Sequence, residues 1–101
     1  MKTYRLSRRA GRSLEDIASY IGKQSADPER GAAFVSRLRA QCEKLATLPG
    51  LIGRPRPDLG TETRSFVYGN YSIAFRYRPD TIDILDIVHV RRDSGEHPDN
   101  G

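Results

Sequence analysis

The chain is 101 residues long, 37% apolar, with a formal net charge of +4 and a pI near 9.6, which allows one buried core and excludes a second domain. It contains no apolar run of about eighteen residues, the opening Met1-Lys2-Thr3-Tyr4 lacks the stretch of a secretion signal, and the lone Cys42 cannot form an internal disulfide. These features predict a cytoplasmic protein with no membrane partner.

The charge is unevenly placed: Lys2, Arg5, Arg8, Arg9 and Arg12 all precede the first acid, Glu15. Such a segment attracts nucleic acid, an acidic peptide or an anionic protein surface through one and the same field. A solvated arginine-rich face with no ligand is equally compatible with the pattern.

In chain order, Thr3 to Ser7 alternates weakly around Tyr4 and Leu6 and predicts a short strand. A helix follows, with Ser13 expected as its cap, Glu15 and Asp16 in its first turn, and Leu14, Ile17, Ala18 and Ile21 at helical spacing. The segment from Gly22 to Ala26 ends it. A second helix starts on Asp27 as N-cap with Pro28 at the first position, where a missing N–H costs nothing. Phe34, Val35, Leu38, Cys42, Leu45 and Leu48 form its apolar stripe, and Pro49-Gly50 stops it. The few residues between the helices require an antiparallel hairpin. Leu51 to Gly60, with Arg54-Pro55-Arg56-Pro57, reads as a stiff extended connector that cannot form a central strand.

Three strands then read as an antiparallel meander: Arg64 to Tyr68, Tyr71 to Arg78 and Ile82 to Arg92. With Gly69-Asn70 and Pro79-Asp80 as two-residue turns, Tyr68 faces Tyr71, Phe66 faces Ile73, Tyr77 faces Ile82 and Phe75 faces Ile84. One face then carries Phe66, Tyr68, Tyr71, Ile73, Phe75, Tyr77, Ile82, Ile84 and Val88, and is assigned to the helical hairpin. The other carries Val67, Ala74, Arg76, Asp83, Leu85, Ile87 and His89. There Arg76 is expected to pair with Asp83, and Leu85 with Ile87 makes an apolar strip. That strip is either hidden by a tail or bulge or open as a partner groove. Asp86 on the supposed core face is a sign that a bulge shifts the phase. The fold class is therefore α+β: an N-terminal strand and an antiparallel helical hairpin packed on a C-terminal three-stranded meander. It forms one domain over residues 1–93, with a polar tail at 94–101 expected to be flexible.

Catalytic chemistry is poorly supported. His89, His97 and Cys42 lack metal-ligand spacing, so no metal or other cofactor is expected, and the glycines of the connector do not form a phosphate-binding loop. Burial along the helix stripe makes Cys42 a small hydrophobe rather than a nucleophile. A ribonuclease could use Arg64, Arg76, Arg91 and His89 for charge stabilisation and proton transfer. His89 at a strand end is more simply a hydrogen-bonded scaffold residue.

In order and spacing, several short motifs resemble the ParE/RelE superfamily of toxins, and its ParE branch in particular. They are Tyr4-Arg5-Leu6-Ser7, Leu14-Glu15-Asp16-Ile17, the connector from Gly53 to Gly60, Arg64-Ser65-Phe66, Tyr71-Ser72-Ile73, Phe75-Arg76-Tyr77, and Ile84 to His89 followed by Arg92-Asp93. Arg54, Pro55, Phe66, Tyr71 and His89 stand within this pattern as structural motif residues. The resemblance implies the toxin of a type II toxin-antitoxin pair. A ParE-like member would inhibit DNA gyrase without enzymatic chemistry and be neutralised by a ParD-like antitoxin. A RelE-like member would instead be a ribosome-dependent messenger endoribonuclease. The absence of any tyrosine after Tyr77 disfavours the latter, and no catalytic residue is transferred. The resemblance further implies that an acid-rich antitoxin segment meets Arg64, Arg76 and Arg91 and covers Leu85 and Ile87, and that the toxin alone does not bind nucleic acid sequence-specifically.

Overall fold

The computed structural model describes residues 3–93, so the tail at 94–101 lies outside the described residues. In chain order the elements are β1 (Thr3–Leu6), α1 (Arg8–Ser25), α2 (Pro28–Thr47), β2 (Arg54–Pro55), β3 (Thr63–Tyr68), β4 (Tyr71–Tyr77), β5 (Thr81–His89) and the single turn α3 (Val90–Asp93). The sheet has five strands in the order β1-β5-β4-β3-β2, so the expected meander gains a strand at each edge. β1 pairs with β5 in parallel. The connector contributes β2 as an antiparallel edge strand on β3. An edge is the place in a sheet where Pro55 is tolerated, because no partner needs its missing N–H.

α1 begins earlier than Ser13. Ser7 is the N-cap, its Oγ accepting from the Ala10 backbone N–H at 2.9 Å, so Arg8, Arg9 and Arg12 occupy the first turns of the helix instead of preceding it. Arginines at the positive end of a helix oppose its dipole, and this local conflict displaced the expected start. Ser13 lies inside α1 and donates from Oγ to Asp86 Oδ1 at 2.6 Å. The start of α2 is as expected: Asp27 Oδ1 accepts from the Glu29 N–H at 3.0 Å, with Pro28 at the first position.

Both hairpin turns have the predicted register, with Tyr68 opposite Tyr71 and Phe66 opposite Ile73, then Tyr77 opposite Ile82 and Phe75 opposite Ile84. Beyond that point the phase changes. Ala74 pairs with Asp86 while Phe75 pairs with Ile84, leaving Leu85 as an extra residue in β5. The side chains that follow exchange faces, as a bulge requires. Ile87, expected on the outer face, is in the core at 2% exposure. His89 sits opposite Tyr71 on the helix side, and Val88 pairs with Ser72 on the other. The apolar strip of Leu85 and Ile87 does not form. The last strand also ends at His89, because Val90 to Asp93 turn back as α3, with the Val90 N–H donating to Asn70 O at 2.8 Å.

The core between hairpin and sheet is built from Leu14 and Ile17 of α1, Leu38, Cys42 and Leu45 of α2, and Ile73, Phe75, Ile82, Ile84 and Ile87 of the sheet. Leu48 escapes it at 44% exposure. Burial pushes the Cys42 thiol up to about 11, which leaves it protonated and inert near neutral pH. Arg39 lies over the Tyr4 ring at 6.0 Å and ties α2 to β1.

The two helices meet at Gly31, where a Cβ would stand 2.1 Å from the Ala18 carbonyl oxygen. Only glycine permits that approach. Gly31→Ala is therefore expected to lower the unfolding free energy by about 1–3 kcal/mol through overpacking. Gly11→Ala on α1, whose Cβ would meet nothing within 4 Å, should raise it by about 0.4–1 kcal/mol. Denaturant titration of both variants checks the pair, and equal effects would contradict the close-approach argument.

Candidate functional site

The face of the sheet away from the helices begins as a polar surface. Ser65 and Ser72 alternate with the core residues Phe66 and Ile73, and both are buried. What covers them is a charged cluster centred on Arg56, itself only 5% exposed. Its Nε and Nη2 donate to the two carboxylate oxygens of Asp58 at 3.0 and 2.8 Å. Nη1 donates to Asp93 Oδ2 at 2.7 Å and to Ser65 Oγ at 3.2 Å. One guanidinium thus joins the connector, β3 and α3. Such a buried cation is tolerable because its donors are matched by paired acceptors in planar geometry. The pairing raises the Arg56 pKa above its ordinary value, led by the hydrogen bonds it donates to Asp58 and Asp93. The Arg56 hydrogen bond in turn lowers the pKa of Asp93 and of the exposed Asp58. Nothing in the sequence reading singled out this cluster. The spacing Arg56-Pro57-Asp58 was its one local signal, and the partner Asp93 lies 37 residues away.

A second feature is a cleft of about 660 Å³ between α1, the tip of the β3–β4 hairpin and the end of β5. Tyr20, Phe34, Tyr71, His89 and Arg92 are among its lining side chains. Tyr20 stands at 58% exposure. Phe34 packs on Tyr71 with ring centroids 5.6 Å apart, and Tyr71 on His89 at 5.4 Å, edge to face. Burial, with a smaller contribution from Tyr20, raises the Tyr71 phenol pKa. His89 is held in place: its Nδ1 accepts from the Arg91 backbone N–H at 3.1 Å. The cleft therefore has aromatic walls and an arginine at its rim, the chemistry of a binding surface more than of proton transfer.

The residues expected from the sequence to act together are dispersed. Arg64 is a structural tether, donating from Nε to Ile52 O at 2.9 Å and from Nη2 to Gly53 O at 2.8 Å. It fastens the connector where Gly53, at φ 78°, passes so close to β3 that a Cβ would lie 2.4 Å from Ser65 O. Arg76 is opposite Asp83 as expected, but the carboxylate pairs with Arg78 instead, Nε to Oδ2 at 2.9 Å. Leu85 is the bulge residue, its carbonyl accepting from Ser7 Oγ at 2.8 Å. Ile87 is in the core, where it forms part of the cleft lining. Arg91 is exposed on α3, and Arg54 and Pro55 are exposed on the edge strand β2. Phe66 and Tyr71 are half-buried against the core. Among the described residues no cluster of three or more His, Cys, Asp or Glu could hold a metal, and no helix is long and apolar enough to cross a membrane.

Residues 4–94 match the family described as "ParE toxin of type II toxin-antitoxin system, parDE". The chain belongs to the ParE toxin family. It is 32% identical over 97 residues to Toxin ParE1 of Caulobacter vibrioides, covering 96% of this chain and 98% of that one. It is also 32% identical over 93 residues to the putative toxin Y4kP of Sinorhizobium fredii, covering 90% and 91% respectively. A solved chain from the chromosomal ParDE TA system of P. aeruginosa has the same fold, with a TM-score of 0.74 over 88% of this chain and 96% of that one at 24% identity. The α+β architecture and the toxin-antitoxin assignment read from the motifs are thereby shown; the expected N-terminal strand joins the sheet as β1, and β2 is the one strand the sequence did not announce.

The Arg56 cluster makes the toxin's stability depend on acidity in a defined sense. Arg56 lowers the folded-state pKa of Asp93. The stabilisation is therefore complete above the unfolded value of about 3.9 and is lost as pH falls through the folded pKa. Asp93→Asn should cost about 1–3 kcal/mol at neutral pH and should flatten the acid limb of the stability–pH curve. Arg56→Met should cost about 3 kcal/mol, because it leaves Asp93 without its cation. Thermal melts from pH 7 to pH 2 check this, and an Asp93→Asn curve parallel to wild type would contradict it.

Proposed function

We propose that this ParE-type toxin arrests growth by binding and inhibiting DNA gyrase in the cytoplasm, without catalysing a reaction, and that a ParD-like antitoxin holds it inactive. The observation that carries the reading is the family match over residues 4–94, together with relatives named as toxins and a like-folded chain from a ParDE system. The geometry is compatible with it. Of the four groups a nuclease could have used, Arg64 and the Nδ1 of His89 are engaged by backbone groups of the toxin itself.

The aromatic cleft is the surface that best suits the antitoxin. An amphipathic, acid-rich segment would seat an apolar side chain between Tyr20, Phe34 and Tyr71, with its carboxylates reaching Arg92 at the rim and the exposed neighbour Arg91. This moves the contact from the strip of Leu85 and Ile87 to the end of the sheet, beside α1.

Two measurements test the proposal. Purified toxin added to DNA gyrase should suppress supercoiling, and its induction in a bacterial host should halt replication while messenger RNA stays intact. Rapid messenger cleavage with normal supercoiling would establish the endoribonuclease reading instead. Tyr20→Asp, at an exposed position, should leave the fold intact and weaken antitoxin capture about tenfold or more, about 1.4 kcal/mol. Wild-type affinity in that variant would place the antitoxin elsewhere.

A further inference from the structure

The Arg56 cluster and α3 cover only part of the sheet's outer face. Elsewhere on that face the strand register aligns Arg5, Asp83, Arg76 and Thr63 in one row across β1, β5, β4 and β3, with Thr63 buried at 2% exposure and the accessible charges at Arg5 and Arg76. The neighbouring Tyr4, Ile82, Phe75 and Tyr77 belong to the core or pack against it, so this row points away from the helices. The two carboxylate oxygens of Asp83 are both taken from the same strand and its turn: Oδ2 by Arg78 Nε at 2.9 Å and Oδ1 by Thr81 Oγ1 at 3.5 Å. Among the described residues Arg5 and Arg76 have no ion pair. Arg76 is also half-buried, and its Nε is covered without a hydrogen-bond partner, beside the loop at Gly60. The Nε lies out of a ligand's reach, so an anion would meet Arg76 through its Nη atoms. Arg5 and Arg76 beside an aspartate already taken by Arg78 leave the row with uncompensated positive charge.

We propose that this row is a sequence-independent binding surface for the phosphodiester backbone of a nucleic acid. Its composition decides between the anionic partners the sequence allowed. Protein interfaces are anchored by aromatic or aliphatic side chains at their centre, and the row has none; its members are arginine, aspartate and threonine. Nucleic-acid interfaces are polar and positively charged, as this face and the +4 chain are. Phosphate contacts position a protein without reading bases. A sheet face carrying arginines and no element that enters a groove supplies that kind of contact and no other. The proposal does not depend on gyrase being the target.

The test is fluorescence anisotropy with labelled duplexes of about 20 base pairs in two unrelated sequences and a single-stranded RNA of equal length, titrated at about 50–200 mM salt. Both duplexes should bind alike, with log K falling linearly in log salt. Each phosphate contact contributes a slope of about −0.9, so Arg5→Gln with Arg76→Gln should make the slope shallower by about 1.8. Arg5→Gln alone, at an exposed edge-strand position, should remove about half of that and guards against a folding defect in the double variant. Arg8→Gln with Arg12→Gln, on α1 outside the row, should leave the slope near wild type. A preference between duplex and RNA would tell which backbone is bound. The proposal is overturned if the row variants bind as wild type does, if the α1 pair changes the slope as much as the row pair, or if polyglutamate competes as well as the duplex.

Discussion

The extra residue at Leu85 controls how the second half of β5 meets everything around it. Without it, strict alternation from Ile82 and Ile84 would carry Asp86 and Val88 into the core and turn Ile87 and His89 outward. With it, Ile87 fills the core opposite Ile73 and His89 stacks on Tyr71, while Asp86 accepts a hydrogen bond from Ser13 on α1. A carboxylate that a hydrophobic layer could not have held is thus given a hydroxyl partner, and an isoleucine that solvent would have disfavoured is buried. The bulge also aims the chain so that Val90 can bond back to Asn70 and α3 can form.

From α3 the consequence passes to the outer face. Asp93 reaches Arg56 only because the chain has turned there, and Arg56 in turn fastens the connector over Ser65. The buried serines accept this polar cover where an apolar layer would require a second set of helices. A small domain with a single helical layer therefore protects both sides of its sheet by different means: hydrophobic packing on one, a matched charge cluster on the other. Beyond the reach of the cluster the outer face carries the exposed Arg5 and the half-buried Arg76.

The functional geography follows from this division. Several polar groups are tied to the scaffold: Arg64 to the connector carbonyls, His89 Nδ1 to the backbone of α3, Arg56 to its two aspartates. What remains available is surface, an aromatic cleft at one end of the sheet and a row of arginines on its back. That distribution suits a toxin whose action rests on binding. It also separates the place proposed for an antitoxin from the place proposed for nucleic acid.

Much of this was legible in the residues. Asp27-Pro28 marked the start of α2 because capping and the fixed proline φ are local effects, and Gly69-Asn70 and Pro79-Asp80 set the hairpin register because a two-residue turn leaves no freedom in pairing. Asp86 even signalled the bulge, since a carboxylate on a core face contradicts burial. Ser13 misled because Ser7 caps equally well, and the choice between them rests on Ser7 also bonding Leu85 across the sheet. The parallel pairing of β1 with β5, the transfer of Asp83 from Arg76 to Arg78, and the meeting of Arg56 with Asp93 join residues that are distant in sequence or equally close to several partners. Local propensity and periodicity determined most of the elements and the turns, and the order of short motifs carried the resemblance to the family; which charges pair, which stay uncompensated and which face Ile87 occupies were decided by tertiary packing, because those outcomes depend on distances that exist only after the sheet closes.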